Sequence, residues 1–206
     1  MRLPKIILCT AILMSMLCSC VSRNGTDNSP SIAESIMGMI GKQVRIPALT
    51  STFLGRDSAT EHQDTVLARL IVYYDSTSCQ TCRVNNLYEW REIISLEKSS
   101  DGKFELTMVF APTEEDAVNL RRALARSRFL HPVYFDSERK LLKDNPFIPS
   151  HQAYHTFLTD KYGRIILVGD PVLNPNLFPL FLETVNTIVE YGGYSEYQAS
   201  ASSTCQ

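Results

Sequence analysis

The sequence is poor in the features that mark several large function classes. Its 206 residues carry 20 Lys and Arg against 22 Asp and Glu, a formal net charge of -2, with no basic stripe and no long run of one sign. That removes the electrostatic footprint of a nucleic-acid partner. The longest apolar run, near the N-terminus, falls short of the ~20 residues that a membrane-crossing helix needs. There is no Gly-rich phosphate loop, no Gly-x-Ser-x-Gly turn and no repeat of fixed period. Cysteine is scarce. Three of the six (Cys9, Cys18 and Cys20) fall in the first twenty residues, leaving Cys79, Cys82 and Cys205. The length is that of one domain.

What the chain does have begins at its N-terminus. Arg2 and Lys5 precede the short apolar run "IILCTAILMSML", the pattern of a secretory signal. "LCSC", residues 17 to 20, then resembles the lipobox of bacterial lipoproteins. Leu17 stands at -3, Ser19 at -1, and Cys20 is the residue that would receive the lipid. Cys18 does not fit, because Ser15 and Leu17 would take those positions. A plain cleaved signal is the other reading. The resemblance implies a signal peptide over 1–19 and a bacterial cell-envelope protein held at a membrane by acyl chains on Cys20. The domain would then sit in the periplasm or on the outer face. Residues 20–42 read as a polar tether. Export would place the later cysteines where disulfides persist.

The folded part is expected over 43–193, followed by a disordered tail, 194–206. "KQVRIPAL" and "STFLGRD" read as an edge hairpin around Pro47. "TVLARLIVYYD" reads as a buried strand. A helix is expected from about Gln80 to Lys98, with Val84, Leu87, Tyr88, Ile94 and Leu96 on its apolar side. "KFELTMVFAP" is a strand. Residues 113–128 form a helix capped by Thr113 with Asp116 three positions on. "PVYFD" and "SERKLLKDN" are a short strand and a short helix. "AYHTFLTD" and "RIILVGD" form a hairpin through "KYG". A last helix runs from Asn174 to the Gly192–Gly193 pair. Strand, helix and strand in this order imply a parallel pair with a crossover helix.

"DSTSCQTC" lies between the first of these strands and its helix. From the residues alone, Cys79 and Cys82 could be a redox dithiol, half of a metal site, or a structural bridge. At a helix start the first sulfur meets unpaired backbone N–H groups, which favour the thiolate. The second lies one turn on, within reach of a disulfide.

"YYDSTSCQTCRVNNLYEW" resembles the strand, loop and helix start of thioredoxin-like proteins, and "HTFLTDKYGRIILVGDP" resembles their second half. The nearest likeness is to the TlpA/ResA-type thiol–disulfide proteins of the bacterial envelope. The resemblance implies an α/β thioredoxin-like fold, a central mixed sheet flanked by helices, with an extra short strand and helix before the C-terminal hairpin. It implies that Cys79 attacks and Cys82 resolves; the enzyme needs Cys79 exposed and Cys82 buried, which a structural bridge does not. The partners would be exported protein thiols and disulfides, or a membrane electron donor, with no cofactor. His155 stands where the family's cis-proline usually precedes the strand, so His155 and Thr156 are expected to line the substrate groove. The family's buried carboxylate would fall near Tyr73, which is no base at neutral pH.

Another reading uses the fold as a binding module, with the cysteines locked together or holding copper or zinc beside His155. His151 is four residues from His155. His131 and His62 read as surface residues, Trp90 as core, and Cys205 as a tail thiol. A peroxiredoxin is excluded, since the Pro and Thr it needs ahead of the cysteine are missing.

Overall fold

The computed structural model describes residues 30–57, 65–77 and 79–195. The segment expected as a signal peptide (1–19), Cys20, His62, Ser78, Cys205 and the residues from 196 lie outside them. Seven strands form one sheet in the order β2-β1-β5-β4-β3-β6-β7. They are β1 Thr50–Phe53, β2 Arg56–Asp57, β3 Ala68–Tyr74, β4 Phe104–Phe110, β5 Val133–Phe135, β6 Thr156–Asp160 and β7 Ile165–Val168. The α-helices are α1 Ile32–Met39, α2 Gln80–Asn85, α3 Arg91–Ser99, α4 Glu114–Ser127, α5 Lys140–Asp144 and α6 Leu177–Tyr191. Strands β3, β4 and β5 run parallel, whereas β1, β6 and β7 pair antiparallel with their neighbours. Among the described residues no helix is long and apolar enough to cross a membrane.

β3 is the central element. Its apolar, β-branched-rich sequence suits burial on both faces. Successive side chains alternate between two cores. Leu70 and Val72 pack with α2, α3 and the Phe181–Val185–Ile188 face of α6. Ile71 and Tyr73 pack on the other side with Phe157, Leu141 and Met39. The parallel pair runs in register from Ala68–Phe104 to Tyr74–Phe110. On the opposite edge β6 pairs with β3 from Asp160 back to Thr156. The order and the mixed sheet are those of the thioredoxin-like fold.

The segment after the cysteines is broken where one helix was expected. α2 closes at Asn86, a 3₁₀ turn follows over Leu87–Trp90, and α3 starts at Arg91. The buried residues explain it. Val84, Leu87, Trp90 and Ile93 are each 3% exposed or less, and they are spaced by three. In a straight α-helix a step of three falls ~60° short of a full turn, so three steps would carry Ile93 to the face opposite Val84. A 3₁₀ turn stacks i over i+3 and keeps all four on the core. Tyr88, placed by periodicity on the apolar side, is therefore 61% exposed.

Other expectations also change. Residues 32–39, assigned to the tether, form α1, whose Met39 is fully buried. The edge hairpin lies within "TSTFLGRD" and not around Pro47. It turns at Leu54 and Gly55, and Gly55 has φ +78. A Cβ on Gly55 would sit 2.3 Å from the Arg121 carbonyl oxygen, so this turn can dock on α4 only with glycine there. Tyr194 and Ser195, placed in the tail, are tied down: Tyr194 packs on the core, and Arg164 Nη2 donates to Ser195 Oγ at 2.8 Å. His131 is buried, with Nε2 2.8 Å from Glu97 Oε2 and Nδ1 2.7 Å from the Pro132 carbonyl oxygen. A loop position after Leu130 gave no cue to that burial. Trp90 is in the core, as expected.

Phe181→Ala is expected to cost about 3–5 kcal/mol, since it empties the seam between α6 and the sheet. Val118→Ala, on the exposed side of α4, should stay within about 0.5 kcal/mol. Urea unfolding midpoints at unchanged m-value would check both.

Candidate functional site

β3 delivers its chain to Asp75, four residues before Cys79. Cys79 is the N-cap of α2, with φ -63 and ψ 96. Its Sγ accepts the amide N–H of Cys82 at 3.3 Å, and Thr81 Oγ1 lies 3.8 Å away. Cys79 and Cys82 are joined in a disulfide, with Cα atoms 5.3 Å apart. The sequence brings these two residues together as expected.

It does not bury Cys82. Both cysteines are exposed, a correction with a plain cause. α2 turns Gln80 and Val84 inward, an i,i+4 pair on one face. Cys82, two positions from Gln80, is rotated ~200° from it. Access therefore does not distinguish the two sulfurs. Hydrogen bonding does: the Cys82 amide points at Cys79 Sγ and would stabilise a thiolate there.

The buried carboxylate sought at Tyr73 is found two residues later. Asp75 is 6% exposed at the end of β3. Its Oδ1 accepts the Thr77 amide at 2.9 Å, the Thr77 hydroxyl, and Gln152 Nε2 at 3.4 Å. This is an Asx-type turn that shapes the loop before the cysteines. Gln152 is a residue the sequence reading missed. Its Nε2 donates to Thr77 Oγ1 at 3.0 Å, and its Oε1 accepts from Arg83 Nη2 at 3.3 Å. One side chain thus ties the loop before Cys79 and the residue after Cys82 to the turn before β6. A lone polar residue in a loop carries no sequence signal for that role.

His155 and Thr156 were expected on the groove surface. They are 1% and 5% exposed, so they lie beneath it. β6 pairs closely with β3 here: Tyr73 N–H donates to the His155 carbonyl at 2.9 Å. No described peptide bond is cis. His155 Nε2 lies 3.0 Å from the Pro149 carbonyl oxygen, which can only accept, so Nε2 carries the hydrogen. Nδ1 lies 3.4 Å from Asp75 Oδ2. Burial lowers the His155 pKa. The Pro149 carbonyl and the Asp75 carboxylate pull it up, and burial prevails over both. The ring is neutral at pH 7.

Tyr73 packs edge-on to His155, with ring centroids 5.6 Å apart. Burial pushes its phenol above the usual tyrosine range, so it is no base. Among the described residues the buried side-chain atoms with no hydrogen-bond partner are Tyr73 OH, Gln80 Oε1 and His155 Nδ1. They come from the end of β3, the first turn of α2 and the residue before β6. Each such group calls for an explanation, whether strain, a catalytic role or a bound water.

A metal set of Cys79, Cys82 and His155 is not assembled. Both His155 nitrogens face other groups, and the sulfurs are bonded to each other. His151 is exposed, and its Nδ1 accepts the Ala153 amide at 3.3 Å. Among the described residues no group of three or more His, Cys, Asp or Glu side chains is placed to hold a metal ion.

The sequence matches no protein-family model and no curated protein. Solved structures do match the fold. One is a solution structure from Bacteroides thetaiotaomicron, provisionally described as a protein disulfide isomerase. It is 18% identical, with a TM-score of 0.50, over 77% of this chain and 94% of that one. A thioredoxin-like protein from Porphyromonas gingivalis is 16% identical at a TM-score of 0.47, over 75% and 97% of the two chains. The thioredoxin domain of a Bacteroides vulgatus thiol-disulfide oxidoreductase is 16% identical at 0.44, over 68% and 96%. The likeness to the first of these is one of fold, and it is the thioredoxin-like fold that the strand order also gives.

Proposed function

We propose that this chain is an envelope thiol–disulfide exchange protein of the TlpA/ResA type, anchored through a lipid on Cys20. The observation that carries the reading is an exposed Cys79–Cys82 disulfide that caps a helix at the end of the central strand. Exposed disulfides belong to the labile, exchanging class, whereas structural ones resist reduction. In the reduced protein, Cys79 thiolate attacks a partner's disulfide. A bond forms between Cys79 Sγ and one partner sulfur, and the other partner sulfur leaves as a thiolate that takes up a proton. Cys82 thiolate then attacks Cys79 Sγ and releases the second partner thiol. The partner gains two electrons and the Cys79–Cys82 pair loses them. The reverse sequence oxidises a partner dithiol.

His155 and Asp75 are positioning residues in this scheme. Asp75 shapes the loop through Thr77, neutral His155 packs beneath it, and Gln152 carries that constraint to Arg83. The partners are exported protein thiols and disulfides, or a membrane electron donor. The second reading, a binding module, gains one supporting observation, the exposed position of Cys82, because the asymmetry that a resolving cysteine commonly has is missing. Copper or zinc on the reduced cysteines would fall under that reading.

Thiol trapping of the full chain across glutathione or dithiothreitol poises is the deciding experiment. A reversible two-electron transition between about -120 and -270 mV is expected, within the span of exchange proteins. Cys79→Ser should abolish turnover, and Cys82→Ser should accumulate mixed disulfides with partners. A bridge that stays closed below about -300 mV, or reduced cysteines recovered with bound copper or zinc, would leave the binding module.

The anchor has its own test. Cys20→Ala should move the chain from the membrane fraction to the soluble envelope fraction on cell fractionation. Retention in the membrane would overturn lipidation at Cys20.

Neutral, buried His155 also predicts a pH dependence. Its folded pKa lies below the ordinary 6.5. As pH falls through about 6.5 the unfolded chain takes up this proton and the folded chain does not, so stability present at neutral pH is lost in acid. Urea midpoints should fall between about pH 7.5 and pH 5, and fall less in His155→Gln. Equal pH slopes in the two proteins would refute the assignment.

A further inference from the structure

The exposed side of α2 and α3 carries a feature that the exchange step does not use. A groove of about 610 Å³ runs from Val84 and Asn85 on α2, along α3, to the turn after α4 at Phe129 and Leu130. It exposes two large apolar side chains, Tyr88 at 61% and Leu130 at 67%. The charged residues that line it are Arg91, Lys98 and Arg128, all exposed, and no Asp or Glu joins them. None of the three pairs with a carboxylate among the described residues. This is a local excess, since the whole chain carries a net charge of -2. Asn85 stands three residues after Cys82, and both are exposed. On a helix such positions are neighbours, ~5–6 Å apart at Cβ. The groove therefore opens beside the disulfide.

We propose that this groove docks an extended segment of a partner protein that is apolar and acidic, and so holds the partner beside Cys79 and Cys82. The apolar walls would cover Leu, Phe or Val side chains. The three unpaired cations would meet carboxylates and repel basic segments, so charge sets the choice of partner. The site is a slot between two elements, which receives a chain, whereas a membrane surface is met by a protruding face. Its purpose rests on the exchange reading, but the binding does not.

The test uses the full chain with its disulfide closed and two thiol-free fluorescein peptides of about ten residues, ~33 Å when extended. One alternates Leu and Phe with Glu, and the other has Lys in place of Glu. Fluorescence anisotropy should show the Glu peptide binding at least about tenfold tighter, with affinity falling as salt rises. R91E combined with K98E should reverse the preference, and Leu130→Ser should weaken both peptides. Circular dichroism melts of these surface variants would confirm that they fold. Equal affinities, or a preference unchanged by charge reversal, would overturn the proposal. So would a groove closed by self-association in sedimentation, or tighter binding to phosphatidylglycerol vesicles than to the Glu peptide. Exchange is read separately by thiol trapping. Loss of peptide discrimination with exchange intact removes only the docking site, and discrimination without exchange removes only the redox reading.

Discussion

The antiparallel register of β6 on β3 is the constraint on which the site depends. Tyr73 N–H bonds to the His155 carbonyl at the end of that ladder. The bond places His155, the residue before β6, beside Tyr73 near the end of β3, two residues short of Asp75. From there the Asp75 carboxylate, the His155 ring and the Gln152 amide come together without further choice. A slip of one residue would turn the His155 side of β6 toward the opposite core and separate it from Asp75. Such a slip is strongly opposed. β3 is buried on both faces and paired on both edges, so any shift would expose Ile71, Tyr73 and Phe157 or force them into the α2 side.

Electrostatics around that junction follow from burial more than from charge pairing. His155 has a carboxylate 3.4 Å away and is still driven neutral. The reason is that a charge taken from water into a dry core loses more than one imperfectly aligned partner returns. Asp75 is better served, by an amide, a hydroxyl and the Gln152 side chain. The carboxylate is thereby committed to holding the loop in shape. Its route to the sulfurs is mechanical: Asp75 to Gln152 to Arg83, one residue past Cys82.

Much of the fold was legible in the sequence because it rests on long periodic segments. β3, β4, the β6–β7 hairpin, α4 with its Thr113 cap, and α6 all carry strong patterns. The broken helix after the cysteines was not, although its cause is written in the spacing. Val84, Leu87, Trp90 and Ile93 repeat at three, a period that an α-helical template reads as noise. α1 was hidden because polar Ser31 and Glu34 and the glycines 38 and 41 resemble a linker, and only Met39 anchors it fully. At the site, the cysteine pair was readable from its motif, but the support was not. Asp75 looked like an ordinary loop acid, and Gln152 is distant in sequence from everything it holds. The surface role expected of His155 failed for a related reason. The likeness to a proline position says where the chain passes, and it does not say which way a larger side chain turns.

In the proposed exchange, the exposed position of Cys82 changes how selectivity would be organised. In a pair with one buried sulfur, access alone decides which cysteine meets the partner. Here both are open, so the choice falls to hydrogen bonding at the start of α2, where the Cys82 amide points at Cys79 Sγ. α2 has only six residues, so its dipole is short and that single bond matters more. A dithiol this open would also react with many partners if nothing else sorted them. In the proposed exchange, that sorting would lie in the surface around the sulfurs. The 3₁₀ turn that keeps Val84, Leu87, Trp90 and Ile93 on the core is the same turn that leaves Tyr88 and Arg91 outside. One departure from helical geometry thus both completes the core and creates the apolar, basic face beside the disulfide.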